Sequence, residues 1–239
     1  MPKKTPVVLT IIVINVLLFA AGPQAELKLY LALHYWQNPN HELWQYVSHM
    51  FMHGDTGHLL FNMFGLFMFG TALERLLGAK KFLLLYFAAG IGAGLIQNLV
   101  NWYEFAELQS QLISAGAGQI NLAAFTTNLF CNQNQLALQS CIAFNTKMVG
   151  ASGALYGILV AYALIYPNNK LALIFFPFPI AAKYFIPGIL LLDLFSGVTG
   201  FSLFGRNIAH FAHLGGALIG FLLMMIWRQI AVNRRPPVG

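Results

Sequence analysis

Six times along its 239 residues the chain runs into an apolar stretch about as long as a membrane is thick: Pro6–Ala21, Gly57–Leu77, Phe82–Val100, Met148–Tyr166, Tyr184–Phe204 and Asn207–Trp227. A hydrocarbon core of roughly 30 Å asks for about 20 apolar residues per helix, because lipid offers backbone groups no partner outside the segment. The recurrence therefore dictates an all-α polytopic membrane protein, a six-transmembrane-helix bundle forming one domain over residues 1–239. Composition agrees: 58% of residues are hydrophobic and 8% charged, with a mean hydropathy of +0.67. A soluble domain carries about a quarter charged residues, so a soluble globule is excluded. The formal charge of +6 comes from basic residues scattered over loops and termini rather than a stripe, and no nucleic-acid partner is expected.

The first run follows Lys3 and Lys4 and ends in Ala20, Ala21 and Gly22, the pattern of a signal peptide. The later spans need no secretory signal, so it is read as a retained first helix. Orientation follows from basic residues, which concentrate on the cytoplasmic side. With the N-terminus inside, that side holds Lys3, Lys4, Arg75, Lys80, Lys81, Lys170, Lys183, Arg228, Arg234 and Arg235, against Lys28, Lys147 and Arg206 outside. Both termini are thus expected in the cytoplasm, with the bacterial inner membrane as the location. The even-numbered spans then all enter from the outer face.

Two outer segments are more than turns. Residues 24–56 mix Tyr30, Tyr35, Trp36, Trp44 and Tyr46 with polar groups, as an element lying in the interface does. Residues 101–147, rich in Gln and Asn, form an insert between spans three and four, and Cys131 and Cys141 within it would face an oxidising compartment. On the inner side, Leu171–Ile180 with Pro177 and Pro179 reads as a short interfacial segment.

Polar groups inside a membrane are costly and mark sites. Here they gather on the even spans, each within two turns of the outer entry. Span two carries His58 and Asn62, just after His49 and His53. Span four opens with Gly150-Ala151-Ser152-Gly153, then Tyr156 and Gly157. Span six carries His210, His213, Gly215 and Gly216. A serine hydroxyl becomes a nucleophile when an imidazole takes its proton. The developing oxyanion then needs donors, which a helix N-terminus and the Asn62 amide supply. No Asp or Glu neighbours Ser152 or His213 in sequence, so the expectation is a Ser-His dyad with a base oriented by something other than a carboxylate. Gly153 and Gly157 on span four, and Gly216 and Gly220 on span six, make smooth stripes for close helix packing. Glu74 reads as a helix-end charge beside Arg75, and His210 as an interfacial or gating residue. Asp193 in span five has a backbone partner or stays protonated.

These motifs are similar to those of rhomboid intramembrane serine proteases of the minimal six-span bacterial type. The stretches that carry the likeness are Trp44–His53, Gly57–Asn62, Gly150–Gly157 and Ala212–Gly216, with Gly70 and Glu74 at the inner end of span two. The resemblance implies Ser152 as nucleophile and His213 as base. It implies Tyr156 stacked on His213 in place of a carboxylate, and an oxyanion hole from His58, Asn62 and the Ser152 N–H. His49 and His53 would tie the interfacial segment to the bundle. The implied substrates are single-span membrane proteins with small, helix-relaxing residues near the outer end. No cofactor or metal is implied, and the oligomeric state is left open. Gln45 stands where the family's pattern has Arg. Two other functions stay open. One is a histidine-lined metal transporter or metalloenzyme using His41, His49, His53, His58, His210 and His213, against which stands the lack of an intramembrane carboxylate ligand. The other is an inactive relative that only escorts membrane proteins, against which stands the presence of both Ser152 and His213.

Overall fold

A computed structural model describes residues 5–21, 24–173, 176–201 and 209–233. Helix α1 (Pro6–Ala20) starts on a proline, whose missing N–H costs nothing there. The next two N–H groups, of Val7 and Val8, donate to the buried Glu74 carboxylate at 3.0 and 2.9 Å. Glu74 is therefore the anchor of α1 rather than a helix-end charge.

The interfacial segment holds α2 (Gln24–Leu31), a two-residue strand β1 (Leu33–His34) and α3 (Gln45–Ser48), which continues into a tight turn at His49–Phe51. The buried Gln45 amide knits it together. Its oxygen accepts from the N–H groups of His34 and Glu42, and its nitrogen donates to the carbonyls of Tyr30 and Asn40. One neutral amide thus satisfies four backbone groups, work for which an arginine has donors but no acceptor.

Helix α4 (Thr56–Gly65) runs through a π turn at Leu66–Gly70 into α5 (Thr71–Leu77), and Gly78 at φ +79° stops it. Helix α6 (Ala79–Leu112) goes three turns beyond the expected end at Val100. Its extension belongs to a second small core, in which Tyr35, Phe105, Leu112, Phe125, Cys141 and Phe144 are buried together. Helices α7 (Asn128–Cys131) and α8 (Gln135–Phe144) complete the insert, with Cys131 and Cys141 joined in a disulfide. The Asn38 amide donates to the Phe144 carbonyl and to Asn145, fastening this subdomain to the interfacial segment.

Strand β2 (Lys147–Met148) pairs antiparallel with β1, Leu33 opposite Met148, and leads into α9 (Ser152–Ile165). The expected inner interfacial segment is instead a hairpin, β3 (Lys170–Leu173) with β4 (Phe176–Ala181), Lys170 opposite Ala181. Helices α10 (Ala182–Thr199) and α11 (His210–Asn233) follow. The fifth span thus ends five residues before Phe204, at Gly200 with φ +71°. The start expected for the sixth, Asn207, lies outside the described residues, as do Lys3, Lys4, Arg206, Arg234 and Arg235.

By length and composition, Thr56–Leu77, Ala79–Ala117, Ala182–Thr199 and His210–Gln229 can cross a membrane. Helices α1 and α9 are apolar but only 15 and 14 residues long, so four of the six expected spans reach full length. The centre is a mutually packed trio of α6, α9 and α11. It is lined by small residues: Ala89 and Ala93, Ala154 and Ala161, Ala212 and Ala217 are all buried. A Cβ on Gly157 would press on Ala89 and the Gly216 carbonyl, and one on Gly220 would sit 2.6 Å from Gly157 Cα. Backbone meets backbone along this seam, as small-residue stripes allow.

Candidate active site

Ser152 is delivered by a turn that only glycine serves well. Gly150 takes φ +120°, and its N–H donates to the His49 carbonyl at 2.9 Å. With the β1–β2 pair just upstream, this fixes Ser152 at the first position of α9. The first N–H groups of any helix lack intrahelical partners and carry its positive dipole end, so the backbone around Ser152 is suited to an anion.

His213 lies in the first turn of α11, whose Ala212 N–H is held by the Gln97 side-chain oxygen at 3.1 Å. Gln97 in turn donates to Asn101 at 2.8 Å. Across the glycine seam, His213 Nε2 comes within 2.9 Å of Ser152 Oγ. Tyr156, one turn into α9, stacks on the imidazole with centroids 4.2 Å apart and planes 13° from parallel.

The other ring nitrogen has a partner that sequence reasoning did not supply. Nδ1 of His213 is 3.3 Å from both Asp193 oxygens, and Nδ1 of His210 also bonds this carboxylate. Asp193 and His210 are both buried. The expectation of no carboxylate near the base is thereby corrected, and Tyr156 stacks beside the carboxylate rather than replacing it. His210 is likewise not interfacial but turned onto Asp193. A signal was present: Gly197 lies four residues after Asp193 on the same face of α10, and a Cβ there would meet Phe211 at 3.1 Å and His210 Cβ at 3.4 Å. That close approach lets a short Asp side chain reach α11.

His58 and Asn62 stand on α4, which begins with an Asp55 cap accepting the His58 N–H at 2.9 Å. The same bond holds the exposed Asp55 carboxyl below the usual carboxylate range. His58 Nδ1 accepts from the Gly54 N–H at 3.3 Å, so Nε2 carries the proton. That Nε2–H faces Gly150, where an added Cβ would lie 2.7 Å from it and 3.7 Å from the Asn62 amide nitrogen. Asn62 also donates to the His58 carbonyl at 3.0 Å. Two donors thus flank the turn that carries Ser152.

His49 and His53 are buried, and neither ring has a hydrogen-bond partner of ordinary geometry among the described residues. They tie the interfacial segment to the bundle through packing and the His49 carbonyl. Among the described residues one group has metal-ligand chemistry: Asp193, His210 and His213, with ligand atoms within 4.8 Å of one another. Its oxygens and nitrogens already serve one another as hydrogen-bond partners.

The family whose description is "Rhomboid domain" matches residues 40–230. The chain is 25% identical over 231 residues to the human "Presenilin-associated rhomboid-like protein, mitochondrial", covering 95% of this chain and 50% of that protein. It is 26% identical over 237 residues to "Rhomboid protease AarA" of Providencia stuartii, covering 92% and 71%. It is 38% identical over 71 residues to "Rhomboid protease GlpG" of Haemophilus influenzae, covering 29% and 37%. The chain spans about half the length of the mitochondrial relatives it matches.

Proposed function

From the premise that the chain belongs to the rhomboid family, we propose that this integral membrane protein is a serine endopeptidase. It hydrolyses a peptide bond in or near the outer end of a transmembrane segment of another membrane protein. The observation that carries the reading is the Ser152–His213 hydrogen bond across the α9–α11 seam. In the proposed reaction Ser152 Oγ attacks the peptide carbonyl carbon while His213 Nε2 takes the hydroxyl proton. The carbonyl electrons move onto oxygen, where His58 Nε2–H, the Asn62 amide and the Ser152 N–H stabilise the charge. His213 then protonates the departing amine, and water, activated by the same imidazole, releases the acyl fragment. Tyr156 holds the plane of the ring.

The short α9 supports a site that water and substrate reach together. Its 14 residues span about 21 Å, so the helix falls about 9 Å short of a 30 Å core. With the Tyr166 end at one face, Ser152 would lie about 9 Å beneath the other. The charge pattern supports both termini on the cytoplasmic side of a bacterial inner membrane, which puts the Ser152 end of α9 toward the outer face.

The test is cleavage of a tagged single-span protein, small residues at its outer end, reconstituted with the full chain in liposomes. Two fragments should appear, EDTA should not change their rate, and Ser152→Ala should produce none. Fragments from Ser152→Ala would overturn the proposal. So would capture of the substrate without cleavage, which is the outcome for an inactive escort. Loss of activity in EDTA would favour a metal held by Asp193, His210 and His213.

A further inference from the structure

We infer that Asp193 is the positioning residue for His213, so that the site works as a carboxylate–imidazole–hydroxyl chain rather than as a dyad. The inference rests on the protease reading and adds a third member to it. A base at Nε2 needs a lone pair there, which requires the neutral ring to carry its proton on Nδ1. Asp193 faces Nδ1 with both oxygens at 3.3 Å, and an ionised carboxylate only accepts. The carboxylate therefore selects the tautomer that leaves Nε2 free, 2.9 Å from Ser152 Oγ.

When Nε2 takes the serine proton, the ring becomes an imidazolium with an anion on its far side in a buried setting. The proton on Nδ1 stays where it is, and the proton on Nε2 goes to the leaving amine. In soluble serine hydrolases a carboxylate in this position is worth up to about 10⁴ in rate, through tautomer and charge.

The local architecture is built to hold that carboxylate in place. His210 bonds one of its oxygens from α11, one turn before His213. Gly197 lets α10 close on Phe211 and His210, and Tyr156 stacks on the His213 ring from α9. Asp193 is thus held by two imidazoles of α11, and its freedom to swing away from His213 is small. An isolated carboxylate buried in a membrane bundle is costly unless paired. Two imidazoles supply the pairing.

A purely structural latch between α10 and α11 makes different predictions. In reconstituted cleavage assays, Asp193→Asn should lower kcat at least 30-fold with KM within threefold and little change in Tm. Asp193→Glu, keeping the charge on a longer stem, should recover at least a few-fold over Asp193→Asn. A kcat within threefold of wild type in Asp193→Asn would overturn the inference. So would losses in Asp193→Asn, Asp193→Ala and Asp193→Glu that only follow the folded fraction. Ser152→Ala separates the two failures. Activity that survives in Ser152→Ala removes the protease reading itself. Activity lost there but kept in Asp193→Asn removes only the role of Asp193.

Discussion

Gly216→Ala is expected to reduce cleavage at least 100-fold while leaving the helices formed. The added methyl would lie against the Gly153 carbonyl, 2.7 Å from its carbon and 3.2 Å from its Cα. Neither backbone can yield locally, so α9 and α11 must separate by about an ångström. The Ser152–His213 hydrogen bond spans 2.9 Å across that seam, and a shift of this size takes it outside bonding distance. Misplacing reacting groups by about 1 Å can cost 100-fold. Alanine is the better helix former by about 1 kcal/mol, so the loss would not come from helix propensity. Gly188→Ala on α10, where nothing lies within 4 Å of the added carbon, supplies the contrast and should cleave at the wild-type rate. Equal activities in the two variants would show that the seam does not set the site.

A second large effect is expected on stability against pH. Burial pushes the His49 imidazole down to about 4 and, with the neighbouring charges of His58 and Lys28, His53 down to about 3. Burial lowers His34 and His41 as well. Each takes up its proton nearer 6.5 when the chain is unfolded. Between that value and the folded one the unfolded state binds more protons, so stability is complete above about pH 6.5 and falls as the pH drops. For His49 alone the loss by pH 4.5 is about 2–3 kcal/mol. Asp55, held below its ordinary range by the His58 N–H, loses its contribution in the same direction at lower pH. In detergent, Tm should drop by about 5–10 °C between pH 7.5 and 4.5, and His53→Gln should flatten the decline. A Tm unchanged over that interval would mean that these imidazoles reach water.

The pattern of residue types was enough to bring Ser152, Tyr156, His213, His58 and Asn62 to one end of the bundle. Each sits in the opening turns of a helix, and polar groups at those positions in a hydrophobic chain have few other places to be. Residues whose role depends on which faces meet were harder. Asp193 is far from His213 in sequence, and its position next to the ring follows from the Gly197 approach of α10 to α11. Gln97 looks like any polar residue late in a span until its oxygen is found on the Ala212 N–H.

Composition misled at Asn101. The turn to Asn, Gln and Glu resembles a loop, yet these residues are tolerated in helices, and Phe105 and Leu112 keep one face of α6 buried in the insert's core. The inner hairpin was hidden for a related reason. Its two prolines argue against a central strand, but an isolated pair of strands consists only of edges, where proline is allowed.

The most direct measurement is covalent labelling of the full chain in a bilayer with a fluorophosphonate, with the adduct mapped by mass spectrometry. A single adduct is expected, on Ser152, formed at least 100-fold more slowly in His213→Ala. An adduct on a different serine, or equal labelling rates with and without the imidazole, would contradict it.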